Sequence, residues 1–118
     1  MNRLIYNLKE IGIDTDRVIT ILGGNESLYL TLSLKFINDQ NYALFKNAID
    51  AKEYQEATNY IHTLKGVAAN LGYDKLSLLC KSILTMLKQN DYTQINEETQ
   101  VMSIEYNKIK RIIKSIYE

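Results

Sequence analysis

Proline is absent from these 118 residues, and cysteine and histidine occur once each. Each scarcity excludes something. Without proline, no helix interior carries the residue that most reliably breaks one. A single cysteine cannot close an internal disulfide, so a reducing cytoplasm is the expected compartment, with Cys80 packed as a small hydrophobe inside a helix. One histidine and one core cysteine do not make a metal coordination set. The 14 basic and 14 acidic side chains cancel to a formal charge of zero. That leaves no basic face for counterion release and argues against nucleic acid as the main partner. No apolar run approaches the length of a membrane span, and Met1 to Ile13 lacks a signal peptide's apolar region, so no membrane is expected either. A Gly-rich nucleotide loop, the H-R-D and D-F-G sets of kinases and a paired acidic cluster for Mg²⁺ are all missing. What remains is one domain, residues 1–118, large enough for a single core. The initial Met favours a free protein over a piece of a longer one.

The chain then reads as a series of helices. Met1 to Gly12 is a mixed segment of low periodicity, a frayed start or a packing arm. Asp14 or Thr15 can cap a short helix, Asp16 to Leu22, which Gly23-Gly24 ends. Asn25 caps the next, with Glu26 in its first turn, favourable to the helix dipole. In Ser27 to Phe36 the leucines alternate as in a strand, yet Leu favours helix and no second strand exists to pair with it. The segment is expected to be a helix, apolar on most sides and central to the bundle. Asn38 to Asn41 is a bend, after which Ala43, Leu44, Ala48 and Ile49 continue an apolar stripe. A turn at Ala51 to Glu53 follows, with Glu53 a weak N-cap for the next helix. Asp74 caps a helix over Lys75 to Gln89, with core residues Leu76, Leu79, Cys80, Ile83, Met86 and Leu87. Asn90-Asp91 is a turn. A last helix over Asn96 to Ile116 carries Met102, Tyr106, Ile109, Ile113 and Ile116 on one face. Short connections make neighbours antiparallel. The expected fold is therefore all-α, an up-and-down four-helix bundle with a short extra N-terminal helix.

The stretch that organises the rest is Ala57 to Gly72, A-T-N-Y-I-H-T-L-K-G-V-A-A-N-L-G. Ala57, Ile61, Leu64, Ala68 and Leu71 fall on one helical stripe. At roughly 100° per residue, His62 lies about 150° from the middle of that stripe and faces outward. Around it on the outward face stand Gln55, Thr58, Lys65, Gly66 and Ala69. This face is mostly small where a solvated helix would carry Glu, Lys, Gln and Arg. Gly66 in mid-helix costs about 1 kcal/mol relative to Ala. A large body coming close to His62 would justify that cost.

The pattern H-T-L-K-G-V-A-A-N-L-G resembles the histidine-containing phosphotransfer (HPt) domain of phosphorelays. The segment G-I-D-T-D-R-V-I-T-I-L-G-G-N-E-S-L-Y, Gly12 to Tyr29, is similar to the family's opening, and the likeness runs from about Ile11 to the end. It implies that His62 is phosphorylated, that Lys65 is its electrostatic neighbour, that Gly66 leaves room for a docking partner and that Ala69 holds a small-residue position. Many members place a polar residue, often Gln, on the following helix to bond the imidazole. By offset that position here is Leu84, so Gln55 or a water would have to serve. The resemblance also implies the partners: a response-regulator receiver domain, with an upstream hybrid histidine kinase, the carboxylates and Mg²⁺ residing on the receiver and no cofactor on this chain.

The chemistry suits these residue types. A neutral imidazole is a fair nucleophile at pH 7. Phosphoryl transfer has a loose transition state, so positioning and charge neutralisation supply most of the catalysis, and Lys65 can neutralise a phosphoryl oxygen. The receiver is expected to dock on the His62 face, including Gln55, Thr58, Gly66 and Ala69, and on Val18 or Leu22 of the short helix. The alternative is a helical adaptor that binds a receiver or kinase without carrying phosphate. A hydrolase is a poor third, because a single His has no Ser, Cys or carboxylate at a spacing that makes a triad.

Overall fold

The computed structural model describes residues 3–116, and these form seven helices and no strand. The sequence pattern places the helices well and misjudges some of their faces. The first helix, α1 (Arg3–Glu10), is a correction: the sequence suggested only a mixed segment there. Leu4, Ile5 and Leu8 are all buried, and α1 packs on the last helix of the chain. Two short helices therefore precede the bundle, where one was expected. The second, α2 (Thr15–Ile21), is capped by Asp14, whose side chain accepts from the Arg17 amide at 3.1 Å.

Helix α3 (Glu26–Asn38) begins at Asn25, which accepts from Leu28 N–H at 2.9 Å. It is a helix as expected, but it is not central. Only Tyr29, Ser33 and Phe36 are buried, spaced four and three apart to make a single stripe. The alternating leucines fall all around the helix, and Leu28 is exposed. The bend lies where the sequence put it. Asp39 closes α3, and its carboxylate accepts from the backbone and side-chain N–H of Asn41 at 2.7 and 2.6 Å. Helix α4 (Asn41–Asp50) buries Phe45, Ala48 and Ile49. Ala43 and Leu44 are exposed instead of joining that stripe, because Phe45 takes the inward position.

Helices α5 (Tyr54–Asn70), α6 (Asp74–Lys88) and α7 (Ile95–Ser115) complete the bundle. The packing order runs from α4 to α5 to α6 to α7, and α3 closes on α7. In α6 the buried residues are Leu76, Cys80, Ile83, Leu84 and Leu87. Leu79 and Met86 are only partly buried at the core's edge. Asp74 makes no side-chain capping bond to α6 and is instead an ion-pair partner, as described below. In α7, Met102, Tyr106, Ile109 and Ile113 are buried as the spacing requires, and Ile116 packs partly against them.

An aromatic cluster joins the pieces of the bundle. The Phe36 ring meets Tyr73 edge-on at 5.1 Å and lies 5.5 Å from Tyr106, which stacks on Tyr42 at 3.7 Å. Each such pair adds about 0.5–1.5 kcal/mol beyond area burial. The end of α3 and the start of α4 are thus pinned to α7 on either side of the Asp39 break.

Candidate functional site

The His62 helix is positioned by its inner stripe. Ala57, Ile61, Leu64 and Ala68 are buried on α5, and Leu71 follows just beyond its end. The helix stops because Gly72 adopts φ +82°. The Gly72 and Tyr73 amides then return to the carbonyls of Ala69 and Ala68 at 3.1 and 2.9 Å, satisfying the last turn. Glu53 stands at the N-cap with no side-chain bond, the weak start its chemistry implied.

That stripe turns His62 to solvent, and among the described residues its ring has no hydrogen-bond or ion-pair partner. Gln55, proposed from the sequence as a substitute for a polar residue at position 84, does not bond the ring. Leu84 is 4% exposed and belongs to the core. Thr58 spends its hydroxyl on the Tyr54 carbonyl one turn back, at 2.7 Å. Lys65 is half-buried, and among the described residues it forms no ion pair, so its charge is uncommitted. Ser77 of α6 donates to the Lys65 carbonyl at 3.1 Å, fixing the backbone there. Below, burial pushes the Cys80 thiol up to about 12 while the nearby Lys65 ammonium pulls it back. Cys80 is therefore an inert core thiol.

Gly66 has open space around it. A β-carbon built there meets nothing within 4 Å. No neighbour within the fold requires a glycine at this position.

The other predicted residues come together through the tertiary fold. Val18, Leu22 and Ala69 line one groove of about 700 Å³ between α2, α3 and the end of α5, with Leu32, Phe36 and Val67 among its further walls. Within it, Val18 is only 3% exposed and serves as floor, whereas Ile21 is 76% exposed at the lip. Ile21 belongs to the same groove, and the sequence showed it as apolar without distinguishing it from its neighbours. Gln55 and Thr58 lie toward the other end of α5, in a smaller depression with Tyr54 and Tyr92, whose rings stack at 3.8 Å. His62 sits between these two hollows along α5. Sequence reading also missed the rim of the larger groove, where one Arg17 nitrogen reaches both oxygens of Asp74 at 3.0 Å.

An exposed nucleophile, an uncommitted cation one turn on and a cleared approach suit transfer of a group between proteins more than turnover of a small substrate in a cavity. Comparison with known proteins agrees. A family model for the Hpt domain matches residues 38–112, from the end of α3 to within the last turn of α7, leaving α1, α2 and most of α3 outside the match. No curated protein and no solved structure matches the chain. A match over that much of the 118 residues carries the conclusion: this chain belongs to the Hpt domain family, and its role is phosphotransfer in two-component signalling.

Proposed function

We propose that the chain carries a phosphoryl group on His62 between response-regulator receiver domains, with a hybrid histidine kinase upstream, in the cytoplasm. The observation that carries this reading is the pairing of an exposed, unpartnered His62 with open space over Gly66 one turn away. The unprotonated ring nitrogen attacks phosphorus as the bond to the receiver's aspartate oxygen breaks. The carboxylate leaves with the electron pair, and the other ring nitrogen keeps its hydrogen. Lys65 offsets the negative charge of the phosphoryl oxygens on the product.

Among the described residues, no three His, Cys, Asp or Glu side chains are grouped to hold a metal. In this reading the carboxylates and Mg²⁺ arrive with the receiver. Among the described residues, no helix is long and apolar enough to cross a membrane.

The test is to mix the protein with a panel of phosphorylated receiver domains and follow intact mass and acid lability, with His62→Gln alongside. Acid-labile phosphate on the wild type alone supports the reading. A second reading, an adaptor without phosphate, draws on buried Leu84 and the unbonded ring. Tight receiver binding with no transfer, unaffected by His62→Gln, would favour it.

A further inference from the structure

We propose that Arg17, Asp74 and Gly72 are positioning residues, which seat α2 on the corner between α5 and α6 and thereby set the shape of the groove offered to the receiver. The proposal rests on the phosphotransfer reading above and adds to it a device that shapes the docking surface.

Helix α2 has seven residues. A helix this short has little stability of its own, so its place depends on the contacts at its edges. Besides its packing on α3, three contacts tie it to its other neighbours. Lys9 reaches Asp16 at 2.9 Å and ties α2 back to α1. One Arg17 nitrogen reaches both Asp74 oxygens at 3.0 Å and ties it forward to the first turn of α6. Between them Val18 lies so close to Gly72 that a β-carbon there would stand 2.8 Å from its Cγ2. The corner that ends the His62 helix is therefore also the seat of α2.

The groove is built on this seat. Val18, Ile21 and Leu22 form its α2 side, and Arg17 and Asp74 themselves stand on its lining. A shift of α2 would change the distance between Ile21 and the α5 surface at Ala69, which a docking partner must match. An exposed ion pair contributes little to overall stability. Breaking Arg17–Asp74 should therefore leave the bundle folded and act on the place of α2.

The test uses Arg17→Asp, Asp74→Arg and the double charge swap in the full chain. Three readouts are taken: amide hydrogen exchange over residues 15–22, labelling of His62 by phosphoramidate, and transfer from a phosphorylated receiver as a function of its concentration. Phosphoramidate is small and needs no docking surface. Each single variant should speed exchange in α2 and raise the half-saturating receiver concentration about fivefold or more, while the maximal rate and phosphoramidate labelling stay as in the wild type. The swap should restore both changed quantities to within about twofold. Unchanged exchange in the single variants would overturn the seat. Restored exchange without restored half-saturation would show that Arg17 or Asp74 touches the receiver directly, and would overturn the positioning role. If the wild type takes phosphate from neither donor, the phosphotransfer reading fails instead, and the exchange data still decide whether the pair holds α2.

Discussion

A β-carbon on Gly72 would stand 2.8 Å from Cγ2 of Val18, so the turn that ends the His62 helix and the helix that precedes the bundle share one contact. Gly72 also holds φ +82°, where an L side chain is strained. Gly72→Ala should therefore lower the unfolding free energy by about 2 kcal/mol, roughly half from the left-handed backbone and half from displacing Val18. Combined with Val18→Ala, which vacates the space, the loss should be smaller than the sum of the two. Urea unfolding of the four proteins measures this. Strict additivity would show that the contact does not couple them.

Gly66 is the opposite case. It lies inside α5 with no atom within 4 Å of the β-carbon position. Gly66→Ala should raise stability by about 0.5–1 kcal/mol, because only chain entropy changes. Gly66→Gln should be at least as stable as the wild type yet transfer phosphate far more slowly, since the side chain occupies the approach to His62. Normal transfer by Gly66→Gln would remove the close-approach argument.

The two apolar residues of α2 that line the groove from opposite ends of exposure should behave differently. Ile21 is 76% exposed and Val18 3%. Ile21→Asp should change stability by no more than about 0.5 kcal/mol and still raise the half-saturating receiver concentration about tenfold. Val18→Asp should unfold or severely destabilise the chain, because it buries a carboxylate without a partner. Circular dichroism melts and transfer kinetics separate these outcomes. An Ile21→Asp protein with wild-type kinetics would remove the groove from the interface.

Alkaline pH should destabilise the fold through its buried tyrosines. Burial pushes Tyr73 and Tyr106 up to about 12, and raises Tyr29 as well, whose hydroxyl donates to the Leu71 carbonyl at 2.8 Å. An unfolded tyrosine ionises near 10. Between about pH 10 and 12 the folded state keeps protons that the unfolded state has released. The stabilisation is thus complete below pH 10 and declines as pH rises, at up to about 1.4 kcal/mol per unit for each tyrosine. Tyr73→Phe should flatten the decline by one tyrosine's share, as read by urea unfolding between pH 9 and 11.5. An unaltered slope would mean that Tyr73 ionises as readily in the native state as in the unfolded chain.

Some of this molecule was legible residue by residue. The spacing of Ala57, Ile61, Leu64, Ala68 and Leu71 alone turned His62 outward, and all five are buried. The capping roles of Asp14 and Asn25 were equally local. The failures have two causes. Leu4, Ile5 and Leu8 fall on one helical face, a local signal that reading the segment as mixed overlooked; only its packing on α7, at the other end of the chain, lay beyond the local pattern. The other failures are tertiary. The leucines of α3 suggested a central helix, but a helix buries only the stripe its neighbours cover, here Tyr29, Ser33 and Phe36. Asp74 had the sequence position of a cap, yet its partner lies 57 residues earlier, at Arg17.

What the amino-acid order determined by itself is therefore the set of main helices, their ends and the face of each that carries chemistry, because 3.6-residue periodicity and capping act over a few neighbouring residues. The tertiary structure alone decided which apolar side chains remain exposed, how α2 is seated against Gly72 and Asp74, and that Ile21, Leu22 and Ala69 line a single groove. Those relations join residues tens of positions apart, and they exist only once the helices have packed and excluded water between them.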